Sequence, residues 1–182
     1  MIRHQAQVLR VTRPFVMATT AGVGFAGLLL VARVGMTARL PAYLYFIVIG
    51  VPLAVIDART NRLPDRLTLP SYPILIVLLG AAEAASPNQG SMVRAGAAAA
   101  LLAALFFVAA LVGGVGLGDV KLAGLLGLVL GFRGWTTVYT GILAAFVLAA
   151  VFVLFRAIQG QSRERLPLGP FLMAGTMVAV LL

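Results

Sequence analysis

Five side chains in this chain of 182 residues can carry negative charge: Asp57, Asp65, Glu83, Asp119 and Glu164. Asp57 and Asp119 each sit against a long apolar run. Asp57 ends one such run, and Asp119 opens another, just after Gly113, Gly114, Gly116 and Gly118. A carboxylate at the edge of hydrocarbon is costly, about 2.5–3.5 kcal/mol at a helix centre and less near the surface, so such a residue is a functional candidate by default. Two carboxylates a few ångströms apart cannot both ionise, so one keeps a proton. The ionised one can take a proton from water, and the protonated one can donate to a scissile carbonyl oxygen, as in aspartic proteases. That chemistry needs no serine, cysteine, histidine or metal. The chain has no cysteine, and its one histidine, His4, lies in a basic tail, so a thiolate site, a histidine-built metal centre and a catalytic triad are all excluded. No cofactor or metal is expected.

Each acid also has a structural reading. Asp119, after glycines and before an apolar helix, could be an N-cap. Asp57 could pair with Arg59 or Arg62. Asp65 sits in a Leu-Pro-Asp turn and suits capping. Glu83 and Glu164 read as solvated loop charges, and Arg59, Arg62 and Arg66 as topology signals. Lys121 could snorkel from a short span.

The elements that must position these residues are membrane helices. The chain is 62% hydrophobic and 10% charged, far from a soluble domain, and too apolar to be disordered. Seven uncharged runs are candidate spans: Pro14 to Ala32, Leu40 to Ile56, Leu67 to Ala82, Ala95 to Val112, Asp119 to Phe132, Trp135 to Phe155 and Leu166 to Leu182. The expected fold is all-α, a polytopic helical membrane protein forming a single domain over residues 1–182. Tyr43, Tyr45 and Phe46 are expected at the membrane interface, and Pro70 and Pro73 in the first turns of the third span, where proline is best tolerated. The Ala-rich stretch Ala95 to Ala104, with Gly124 and Gly127, reads as close packing through small residues.

The net charge of +9 is explained by topology. With the N-terminus cytoplasmic, Arg3, Arg10, Arg13, Arg59, Arg62, Arg66, Lys121, Arg156, Arg163 and Arg165 lie inside, and Arg33, Arg39, Arg94 and Arg133 outside. The basic residues sit singly between apolar runs, with no stripe for nucleic acid. Neither a cleaved secretory signal nor an internal repeat is expected. Asp57, Asp65, Asp119 and Glu164 then share the cytoplasmic side, and Glu83 is outside.

Three segments together resemble the type IV prepilin peptidases. Ile56-Asp57-Ala58-Arg59-Thr60-Asn61-Arg62-Leu63-Pro64-Asp65-Arg66-Leu67-Thr68-Leu69-Pro70 is similar to their first active-site motif, an Asp followed eight residues on by the Asp of Leu-Pro-Asp. Gly116-Leu117-Gly118-Asp119-Val120-Lys121-Leu122 is similar to their second, Gly-x-Gly-Asp. Leu166-Pro167-Leu168-Gly169-Pro170-Phe171 resembles the start of a late span. The resemblance runs from about Tyr43 to the C-terminus.

It implies a Gly-x-Gly-Asp-type membrane aspartic endopeptidase of the bacterial inner membrane, with its site at the cytoplasmic face. The substrate would be a prepilin, pseudopilin or Flp-type precursor, cut after a glycine and before its hydrophobic helix; membrane lipid is the other partner. Asp57 and Asp119 take the catalytic roles, and Asp65, Gly116, Gly118, Lys121, Pro167 and Gly169 shape the site. A loop or helix motion at the glycines is expected to bring the aspartates together. Many bacterial relatives also carry a cysteine-containing insertion linked to N-methylation. Its absence here argues against methyltransferase activity and matches the minimal peptidases of Flp-type pili. Two rivals are a presenilin-like protease, whose Tyr-Asp and Pro-Ala-Leu signatures are missing, and a non-enzymatic ion or proton pathway, which would put acids near mid-span.

Overall fold

The computed structural model describes residues 13–61, 63–113, 115–160 and 167–182. Seven α-helices are found among them: α1 (Arg13–Val34), α2 (Leu40–Thr60), α3 (Asp65–Ala85), α4 (Met92–Leu111), α5 (Leu117–Arg133), α6 (Trp135–Ile158) and α7 (Gly169–Leu181), with one 3-10 turn at Pro87–Gln89. Of the residues singled out from sequence, Arg3, His4, Arg10, Arg62, Gly114, Arg163, Glu164, Arg165 and Leu166 lie outside the described residues. No strand occurs among those described. By length and composition, α2, α3, α4 with its preceding turn, and α6 can cross a membrane.

The helices run past the uncharged runs at most of their ends, taking in Arg13, Arg33, Arg59, Asp65, Arg66, Arg94, Arg133 and Arg156. A charged residue on a terminal turn keeps the helical backbone, so charge does not stop a helix where it stops an apolar run. One consequence concerns α3. It starts at Asp65, two residues before the expected start, so Pro70 and Pro73 fall inside it. Each removes one N–H from the helix ladder. Side chains add bonds in this stretch: Ser71 Oγ donates to the Leu67 carbonyl at 2.7 Å and Thr68 Oγ1 to the Pro64 carbonyl at 3.2 Å.

The centre of the bundle is α5. Every residue from Leu122 to Phe132 is buried. At 17 residues and a rise of about 1.5 Å each, it is shorter than a hydrocarbon core of about 30 Å. Its closest partner is α4, and small residues set that distance. A Cβ on Gly127 would stand 2.5 Å from Ala99 Cα and 2.7 Å from the Ala98 carbonyl oxygen, and one on Gly131 would overlap Ala98. The Ala-rich stretch and the glycines of α5 therefore do mark a close helix pair. Similarly, Gly175 of α7 faces the Gly141 carbonyl and Ala145 of α6.

Tyr43 and Phe46 depart from the interfacial role. Both are buried in the core, against α5 and α7 neighbours such as Val129 and Val180. Tyr45 donates to Ser71 Oγ at 3.2 Å, tying α2 to α3.

The connections are short, so the helices alternate in direction. The C-terminal end of α2 thus shares one end of the bundle with the first turns of α3, α5 and α7. The opposite end is held by two arginines. Arg94 donates from Nε to the Gly131 carbonyl (2.8 Å) and from Nη2 to those of Phe132 (2.8 Å) and Arg133 (3.2 Å). Arg133 Nη1 donates to the Val180 carbonyl at 2.7 Å. The last carbonyls of a helix lack internal partners and carry partial negative charge. Arg94 and Arg133, two of the four basic residues assigned to the sparsely charged side, therefore satisfy the C-terminal ends of α5 and α7. Glu83 is also engaged there: its Oε2 accepts the Met92 N–H at 3.1 Å, which corrects its reading as a solvated loop charge.

Candidate active site

Asp57 lies in the last turn of α2 and is 4% exposed. Its Oδ2 accepts the backbone N–H of Gly169, the first residue of α7, at 2.8 Å. A helix N-terminus has unpaired N–H groups and partial positive charge, so it is a natural seat for a carboxylate. Gly169 also has no room for a side chain: a Cβ there would stand 2.7 Å from Asp57 Oδ2 and 3.1 Å from its Cγ. Glycine at this position lets the backbone come up to the carboxyl group. The third motif thus contributes a main-chain donor. Pro167, two residues earlier, has no N–H to offer, and no hydrogen bond joins it to either Asp57 or Asp119.

Asp119 stands third in α5, after Gly116 as N-cap. It is therefore not the N-cap, as its glycine-flanked position suggested. Its Oδ2 accepts the Gly116 N–H at 3.2 Å, the reach-back half of a capping box. Glycine has no side chain to return the bond. The other oxygen, Oδ1, is buried and has no hydrogen-bond partner. An unpartnered buried polar group costs about 1–3 kcal/mol. Capping alone explains one oxygen of Asp119 and leaves this one without a role.

Asp57 and Asp119 stand at the same end of the bundle, the first in the last turn of α2 and the second in the first turn of α5. The chain around them is brought together by the loop between α2 and α3. A Cβ on Gly118 would stand 3.0 Å from Leu63 Cβ and 3.4 Å from its backbone nitrogen. Leu63 thus presses on the turn just ahead of Asp119. Gly116 is less confined, with a Cβ there 3.4 Å from Asp119 Oδ2, an ordinary contact.

Asp65 and Lys121 form an ion pair, Nζ to Oδ1 at 2.6 Å, joining the start of α3 to the second turn of α5. This replaces both structural readings: Asp65 is the first residue of α3, not its cap, and Lys121 reaches a partner. The side chains of Lys121 and Asp65 are 36% and 58% exposed, respectively, so the pair is worth about 1 kcal/mol or less. Its effect is on register more than on stability.

One residue of this end went unremarked in the sequence. Tyr72 of α3 donates from its hydroxyl to the Lys121 carbonyl at 2.7 Å. Its separation of seven residues from Asp65 puts both on one face of α3, and that spacing was the available signal.

Asp57, Asp65, Gly116, Gly118, Asp119, Lys121 and Gly169 therefore gather at one end of the bundle. The arrangement can hold two carboxylates near each other, one oriented by a backbone N–H and the other with a free oxygen. That is the equipment for moving protons to and from a bound peptide bond and a water. Among the described residues, no three His, Cys, Asp or Glu side chains gather as a metal site.

No curated protein and no solved structure gives a significant match to the chain. A sequence model of the type IV leader peptidase family matches residues 42–154. That stretch contains Asp57, Asp65, the two glycines, Asp119 and Lys121, and it ends before Pro167 and Gly169. With more than half of its length matched, and with apolar helices long enough to span a bilayer, this chain is a helical membrane protein that belongs to the type IV leader peptidase family.

Proposed function

We propose that the protein is a Gly-x-Gly-Asp-type aspartic endopeptidase that removes the leader of prepilin-like, pseudopilin or Flp-type precursors, cutting after a glycine at the cytoplasmic face of the inner membrane. All seven helices belong to the membrane bundle, the N-terminus is cytoplasmic, and the protein is a peptidase without methyl transfer. What supports this reading above all is the placement of Asp57, held by the Gly169 N–H, and of Asp119, at the start of α5, at one end of the bundle in a chain of this family.

The substrate's apolar helix lies against the bundle, and its glycine junction unwinds, because a helical peptide bond is shielded by its own ladder and glycine lowers the cost of leaving the helix. One aspartate takes a proton from water as the oxygen adds to the scissile carbonyl carbon. The other gives a proton to the carbonyl oxygen, and the collapse of the tetrahedral intermediate transfers a proton to the departing amine. The products are a carboxylate ending in glycine and a free amine, and no acyl-enzyme forms. A coupled pair titrates as a unit, so base and acid are roles of the dyad rather than of either residue. Asp57, fixed by Gly169, is the more rigid partner. Both aspartates stand at a bundle end, where water is available to the reaction.

The test is a panel of precursor substrates, prepilin, pseudopilin and Flp-type, incubated with the purified protein in detergent or lipid, with the products sequenced by mass spectrometry. A single cut after the glycine of at least one class, with no methyl group added to the new N-terminus, is expected. Cuts within the hydrophobic segment, or none in any class, would overturn the reading.

A further inference from the structure

Lys121 is held by α3 at two points. Its ammonium meets Asp65, and its main-chain carbonyl accepts the Tyr72 hydroxyl at 2.7 Å. Asp65 and Tyr72 lie two helical turns apart on one face of α3, so the two contacts fix both the height and the rotation of α5 against α3. Tyr72 fits there because Gly124 leaves a notch: a Cβ on Gly124 would overlap the Tyr72 hydroxyl. The bond is not needed to satisfy the carbonyl, which sits inside a helix and is engaged by the ladder four residues on. It is an added link between helices.

Asp119 lies two residues before Lys121 and has little else to hold it. Its carboxylate makes one hydrogen bond, to the Gly116 N–H at 3.2 Å, and its second oxygen has none. Its position therefore follows the backbone of the first turns of α5. We propose that Tyr72 is a positioning residue for Asp119: its hydroxyl, seated in the Gly124 notch on the Lys121 carbonyl, sets where the Asp119 carboxylate stands relative to Asp57. This rests on the catalytic reading of the two aspartates. Small misplacements of a reacting group cost rate far more than they cost binding, up to about 100-fold for 1 Å.

The experiment uses Tyr72→Phe, Gly124→Ala and the double variant in the full-length protein. Tyr72→Phe removes only the hydroxyl. Gly124→Ala displaces it by steric overlap. Once the hydroxyl is gone the overlap is largely relieved: the new methyl stands 3.3 Å from Cζ, so the ring end has to give by only a few tenths of an ångström. Each single variant is expected to lower kcat about tenfold with KM within about twofold. The double variant is expected to be no slower than Gly124→Ala alone, since both act on one bond. A second readout needs no substrate. The chain has no cysteine, so Asp119→Cys gives a unique thiol at the site, whose maleimide-labelling rate reports its surroundings. Adding Tyr72→Phe is expected to change that rate at least about threefold.

Full kcat in Tyr72→Phe, a change in KM alone, or an unchanged labelling rate would overturn the proposal. So would a loss of thermal stability with kcat per folded molecule intact, the signature of a merely structural tyrosine. Cleavage by Asp119→Asn at the wild-type rate would instead break the aspartate reading beneath it. If wild type cleaves no precursor, the labelling rate alone decides.

Discussion

The backbone N–H of Gly169 donates to Asp57 Oδ2 at 2.8 Å across 112 residues of chain. This bond joins the last turn of α2 to the first residue of α7, and it ties the third sequence motif to the first. It also makes Gly169 the residue whose replacement acts most directly on Asp57.

In Gly169→Ala, the new methyl would stand 2.7 Å from Asp57 Oδ2, too close to keep without moving the carboxyl group or α7. Cleavage is expected to fall at least about tenfold, because the reacting group leaves its productive geometry. Membrane insertion is expected to be unchanged. Initial rates on a precursor substrate, with insertion scored by membrane fractionation, check both.

Gly118 and Gly116 separate by the space around them. Gly118→Ala brings a Cβ to 3.0 Å from Leu63 Cβ, so the α2–α3 loop must yield. Gly116→Ala makes only ordinary contact at 3.4 Å. Gly118→Ala is therefore expected to lose activity severalfold, Gly116→Ala less than about twofold, and Leu63→Gly, which removes the clashing Cβ, to restore part of the loss in Gly118→Ala. Rates of the four variants, normalised to folded protein, test the order.

Arg94 acts at the opposite end. Replacing it by Met removes donors from the carbonyls of Gly131, Phe132 and Arg133 at the end of the central helix. A loss of about 2–3 kcal/mol in stability is expected from charge-assisted bonds of this kind. The kcat per folded molecule is expected to stay near wild type, since the site lies at the other end of α5. Thermal unfolding in detergent alongside active-fraction kinetics distinguishes the two effects.

The seven helices were legible in the uncharged runs, and Gly127 and Ala98 show why: in an apolar bundle, small residues mark the closest pair. The helix ends were less legible. Arg94 and Arg133 look like span boundaries in a charge count, yet they belong to helices and cap the neighbouring ones. The burial of Tyr43 and Phe46 was hidden for a related reason. An aromatic residue at the start of a span suits an interface and a core equally, and only the neighbouring helices decide. At the candidate site, Asp57, Asp119, Asp65 and Lys121 stood out because charge is rare here. Gly169 stood out as a motif residue, but its action through a backbone N–H has no side-chain signature. Tyr72 carries no motif at all, and its partner is a carbonyl that every residue possesses.

The claim that Asp57 and Asp119 together carry out hydrolysis is tested most directly by Asp57→Asn and Asp119→Asn, each purified from the membrane and assayed on a precursor that wild type cuts. Asparagine keeps the shape and the hydrogen-bonding oxygen but cannot exchange the proton. The account predicts that both variants insert normally and that each loses cleavage by at least about 1,000-fold, because removing either member disables the pair. Cleavage within about tenfold of wild type in either variant would contradict it and leave that aspartate a structural residue at a helix end.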